Sequence, residues 1–162
     1  LDHSHIIFKM NNKEEMAMFG LEQQLKEKKI ILDPFQKGNI TQQWIDEGYV
    51  WLMHARSAVP NNPKNIGGRH PDGSIGRGVQ YPFIKPLEGQ YHADWEEEKL
   101  EPWKEIIRNV IKNHFVNENS FLECITTEFI PNTDYGEGST YSLFDNASAC
   151  AQWIKNEIKK IN

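Results

Sequence analysis

Apolar residues recur at Leu100, Trp103, Ile106, Ile107, Val110, Ile111 and Phe115, the i, i+3, i+4 spacing of a buried helix face. This spacing predicts a helix over 96–115, with Asp94 as its cap, three glutamates in its first turn and Pro102 early enough to be tolerated. A second helix follows Asp145 or Asn146, with Cys150, Trp153, Ile154, Ile158 and Ile161 on one face. Near the start, Met16, Phe19 and Leu25 give a sparser stripe over 12–28, interrupted by Gly20, and 41–47 reads as a short helix. The β-branched and aromatic runs 49–53 and 121–129 read as strands, and 29–33 as a strand or packed loop. Leu1 and Asp2 read as the end of a further strand, with His3 and His5 at that end or in the loop after it. Alternating strands and helices predict an α/β fold with a parallel sheet in a single domain over 1–162.

The run over 49–53 stops at His54, Ala55 and Arg56, and a loop rich in Gly, Pro and Asn carries the chain to residue 92. That loop contains Arg69, His70, Asp72 and Arg77, and is too long for a simple connector. In parallel α/β sheets, loops at the strand C-terminal ends build the sites. Asp2, His5, His54 and Glu128 all fall at such ends and are expected to converge, although they are far apart in sequence. Two carboxylates and an imidazole suit a divalent cation of the Mn, Mg, Co, Fe or Zn class. Arg56, Arg69 and Arg77 suit a carboxylate, a phosphate or hydroxyls. Taken singly, each residue has a plainer reading. His54 is equally a satisfied, partly buried histidine, Glu128 a strand-end carboxylate paired with an arginine, and Asp2 a frayed terminus. His70 and Asp72 read first as turn residues, and the tryptophans as core.

The apolar content of 38% and the 18 aromatic residues argue for one packed core and against disorder. A net charge of -5 does not favour nucleic acid as a partner. Cys124 and Cys150 are expected to be reduced and buried. The N-x-S/T triplets at Asn39 and Asn146 carry no weight alone. No apolar run approaches the roughly 20 residues of a membrane span, and no signal peptide is visible. The expectation is a cytoplasmic enzyme or binding domain. The opening Leu-Asp-His-Ser-His, without an initiator Met, reads as though cut from a longer chain.

Four pieces together resemble the C-terminal half of the xylose-isomerase-like TIM barrels, the superfamily of sugar isomerases, sugar epimerases and endonuclease-IV-like enzymes. Leu1-Asp2-His3-Ser4-His5 resembles the family's strand-end L-D-x-x-H, and the segment ending in His54-Ala55-Arg56 resembles the later strand with its metal-binding His. Ser74-Ile75-Gly76-Arg77-Gly78 with Tyr81-Pro82 resembles the substrate-arginine loop, and Thr126-Thr127-Glu128-Phe129 the last strand. The resemblance implies that Asp2, His54 and Glu128 hold a divalent metal. It further implies that Glu128 is the acid/base, and that His5, Arg56 and Arg77 bind a sugar-like substrate. The implied reaction is isomerisation or epimerisation through proton abstraction beside a carbonyl. The family barrel has eight strands in roughly 250 residues, and this chain supplies three or four. It is therefore expected as part of a larger polypeptide, or as a half-barrel completed by a partner or by a second copy in a homo-oligomer. Two other functions stay open: a non-catalytic half-barrel that binds carbohydrate or protein, and a metal-dependent phosphodiester hydrolase.

Overall fold

The computed structural model describes residues 1–10, 13–60, 71, 80–90, 95–131 and 141–161, the side chains of 8, 14 and 15 excepted. The elements run α1 (Ser4–Lys9), α2 (Lys13–Met18), α3 (Glu22–Lys26), α4 (Ile40–Asp46), β1 (Leu52–Ala55), α5 (Glu101–Val116), β2 (Cys124–Thr127) and α6 (Leu143–Lys159). A 3-10 turn, Glu97–Leu100, leads into α5.

The sheet pairs β1 and β2 in parallel, with His54 opposite Thr126. A third segment flanks β1 on its other side. The Leu1 amino group donates to the Leu52 carbonyl, and the His54 amide donates to the Leu1 carbonyl at 2.9 Å. One residue bonding both neighbours of Met53 is the parallel ladder pattern. Three chain segments thus point the same way, with β1 in the middle.

Helix α5 is the hub of the body, packing against α1, α4 and α6, while α6 packs on β2. Trp103, Ile106, Ile107, Val110 and Ile111 are buried together with Met53 and Ala55 of β1, Ile45 of α4, and Cys150 and Ile154 of α6. Period-two alternation sends Met53 and Ala55 into this core and His54 to the opposite face. Trp103 lies beside Trp153 and Phe83, and the buried Lys104 ammonium sits over the last two rings, held by Glu97 at 2.9 Å.

Several local expectations are corrected. The stripe over 12–28 is not one helix. Gly20 adopts φ +67° and splits it into α2 and α3, and the proposed Asn12 cap lies outside the described residues. The run 29–33 is packed loop. Trp51 is 60% exposed against Phe121, so it is no core residue. Cys124 is exposed and Cys150 buried, both unpaired. Ser142 caps α6, its hydroxyl accepting from the Asp145 amide. Asn146, fully buried one turn inside the helix, instead accepts from the amides of Phe83 and Ile84 at 2.6 and 3.1 Å. Asn39 is likewise a buried cap, of α4.

Asn146 therefore moors the segment entering from the long loop onto α6. Asn146→Ala leaves two amides without their acceptor and is expected to cost about 2–3 kcal/mol, read as a lower urea midpoint with unchanged slope.

Candidate functional site

Extending the observed register by one residue sets Arg56 opposite Glu128, and the Glu128 amide donates to the Ala55 carbonyl at 3.2 Å. On the other side of β1, Leu1 delivers Asp2 to the same end. His54 and Arg56, two residues apart, share the sheet face that turns from the core. The strand ends thus bring together Asp2, His5, His54, Arg56 and Glu128, the convergence expected from sequence.

The centre of the group is Arg56, 2% exposed. Its Nη2 donates to Asp2 Oδ2 and to Ser4 Oγ, the latter at 2.9 Å, and its Nε also reaches Ser4 Oγ. Its Nη1 stands 3.5 Å from Glu128 Oε2. His5 Nε2 lies 3.1 Å from Nη2. The same His5 nitrogen stands 3.5 Å from Asp2 Oδ2. His54 Nδ1 lies 3.6 Å from Glu128 Oε2. The plainer reading of Glu128, a strand-end carboxylate beside an arginine, is thus present in the geometry too.

Ser4 carries no motif signal, yet it is a fully buried part of this network. Its hydroxyl donates to Asp2 Oδ1 at 2.5 Å while accepting from Arg56, and its amide also donates to Asp2 Oδ1. Asp2 is therefore fixed from both sides, and only its place at the start of α1 could have hinted at this. Gln80 was missed for the same reason. Its buried amide accepts from the Ile130 amide at 2.7 Å and reaches the Tyr141 hydroxyl at 3.3 Å, while Tyr81 and Ser57 exchange backbone and side-chain bonds. These contacts gather residues 57, 80, 81, 130 and 141 at the strand-end face. Arg69, His70, Asp72 and Arg77 lie outside the described residues, as do Gly73, Gly76 and Gly78.

The donor set bears on a divalent cation through Glu128 and His54. Glu128 Oε2 is buried without a hydrogen-bond partner among the described residues. His54 Nδ1 stands 3.6 Å from it, near the spacing of two neighbouring ligands on one ion with bonds of about 2.1 Å. These features fit a cation. Asp2 reaches the other two donors through the Arg56 guanidinium, and among the described residues no three acidic, His or Cys side chains already form an ion-holding group.

His3 behaves differently from its neighbours. It is fully buried, stacked on Trp103 at 5.4 Å, with Nε2 3.2 Å from the Trp103 carbonyl. Burial pushes its pKa down from 6.5 to about 3, against smaller opposing effects of Asp2 and that carbonyl. It is a neutral core residue.

Comparison with protein-family models, curated proteins and solved structures finds no match.

Two outcomes follow from this geometry. Arg56→Met leaves Asp2 and Glu128 facing each other without their buried cation and is expected to cost about 3 kcal/mol. Adding Glu128→Gln should restore part of that loss, as measured by chemical denaturation of the double variant. For His3, the unfolded chain takes up the proton below about pH 6.5 and the folded chain only near pH 3. Stability should therefore fall on acidification through that window, by up to about 1.4 kcal/mol per pH unit from this residue. Denaturation midpoints of His3→Gln at pH 7, 6 and 5 should show a shallower decline than the parent.

Proposed function

We propose that the chain is the C-terminal part of a parallel β/α barrel of the xylose-isomerase-like kind, and that its strand-end cluster belongs to a divalent-metal-dependent sugar isomerase or epimerase. The observation that carries this reading is the convergence of Asp2, His54 and Glu128 at one end of three parallel segments. Within it, His54 Nδ1 lies 3.6 Å from a buried Glu128 oxygen that takes no hydrogen bond among the described residues.

In this reading Asp2, His54 and Glu128 hold a Mn, Mg, Co or Zn ion. Such an ion polarises a carbonyl or hydroxyl oxygen of a polyol. The Glu128 carboxylate takes the proton from the carbon beside the carbonyl and returns it to the product. Arg56, buried among Asp2, Ser4 and His5, holds the carboxylates in place, and the half-exposed His5 beside it grips substrate hydroxyls. Arg77, on the loop outside the described residues, is a further donor to substrate. The remaining strands of the barrel come from other residues of the polypeptide or from a second copy.

One observation favours a second reading. Arg56 already bonds Asp2 and approaches Glu128, so the cluster is complete as a structural clamp. The chain is then a carbohydrate- or protein-binding unit without turnover.

Calorimetric titration with Mn²⁺ separates the two. The metal reading expects saturable binding that weakens at least about tenfold in His54→Ala and in Glu128→Gln. Absence of binding, or equal affinity in all three proteins, would overturn it in favour of the clamp.

A further inference from the structure

A cavity of about 640 Å³ opens between the turn ending α1, α2, α3 and the loop that follows. It shares no residue with the strand-end cluster. Its volume lies within the roughly 300–1,000 Å³ of small-molecule sites. Met10, Met16, Leu25 and Ile31 are among the apolar side chains that line it, Met16 being buried and the other three half-buried. Around them stand Lys13, Lys26 and Lys28, all exposed. None of these three ammonium groups has an ion-pair partner among the described residues, whereas nearby Lys29 is paired with Glu27. Two acids also line the cavity, Glu22 and Asp33. Asp33 is turned into its own loop, accepting from the Phe35 amide and the Gln36 side chain, each at 3.0 Å.

The backbone supplies a second, independent observation. Helix α3 ends with the Lys28 amide donating to the Leu25 carbonyl and the Lys29 amide to the Gln24 carbonyl. This pair of bonds is a Schellman motif, and Lys28 occupies its left-handed position at φ +54°, where glycine is ordinarily found. It is the non-glycine residue with positive φ among the described residues. Lys28 thus holds a conformation that glycine adopts at lower cost, with its side chain lining the cavity.

We propose that this cavity binds an amphiphilic anion: one carboxylate head among Lys13, Lys26 and Lys28, and an unbranched apolar tail laid along the methionine and Leu25 wall. The apolar lining removes the tail from water, and the unpaired lysines select the sign of the head group.

The test uses decanoate, kept monomeric, on the chain labelled with ¹³C at its methionine methyls. The four methionines form an internal map, because Met10 and Met16 line the cavity, Met18 is exposed on α2 and Met53 lies in the core. Saturable shifts confined to Met10 and Met16 are expected. Lys26→Gln and Lys28→Gly should each weaken binding about two- to fivefold. Lys28→Gly should at the same time raise the thermal midpoint, so that lost binding cannot be ascribed to lost structure. Decyltrimethylammonium, with the opposite charge, should bind more weakly than decanoate. Shifts that do not saturate, equal affinity for the cationic probe, or unchanged affinity in both lysine variants would overturn the proposal.

Discussion

A guanidinium buried to 2% must be met by anions, and at Arg56 this requirement ties together the two halves of the chain. One carboxylate partner comes from residue 2 and the other from residue 128. Neither is near Arg56 in sequence, and the segments carrying them pair on opposite sides of β1. The ion network and the parallel ladder therefore specify the same arrangement. Shifting either flanking segment by one residue would turn its carboxylate to the other face and leave a buried cation unmatched. Ser4 strengthens the constraint, because one hydroxyl serves both Asp2 and Arg56.

The opposite face of β1 answers a different demand. Met53 and Ala55 alternate with His54 and Arg56, and they meet the face of α5 headed by Trp103. His3 lies across the boundary between the two regions. It follows Asp2 in the chain, yet its ring stacks on Trp103 and stays neutral. A charged residue of the cluster and an uncharged residue of the core are thus adjacent in sequence, separated by a single change of direction at the start of α1.

How much of this could be read from residues alone depended on the range of the interactions involved. Helix α5 was legible because its stripe at 103, 106, 107, 110 and 111 is local and unbroken. The ends of β1 and β2, at Ala55 and Thr127, fall two residues from the expected 53 and 129, because the β-rich runs stop against Gly- and Pro-rich sequence. The division of 12–28 into α2 and α3 was only half legible. Gly20 weakened the stripe, but a glycine permits a positive φ without requiring it. The exposure of Trp51 and Cys124 was not legible, since composition says that a residue can be buried, not that a face is covered. The burial of Arg56, Ser4 and His3 was hidden for a related reason. A polar residue goes inside only when distant partners satisfy it, and no local pattern reports a partner fifty or a hundred residues away.

The strand-end cluster also bears on what kind of chemistry its geometry can sustain. A carboxylate acting as a base must be fixed in place and retain an available lone pair. Glu128 meets the first condition through the Ala55 pairing and through Arg56, which approaches at 3.5 Å without a hydrogen bond. It meets the second because its buried oxygen receives no donor among the described residues, with the imidazole of His54 standing 3.6 Å away. Asp2 contrasts with it. Its two oxygens are taken up by Ser4 and Arg56, which fixes the direction of the carboxylate. Two acids at the same end of one sheet are thereby held differently, one by hydrogen bonds to both of its oxygens, the other with a buried oxygen that receives none among the described residues. The difference follows from the start of α1, which brings a serine to Asp2 and none to Glu128.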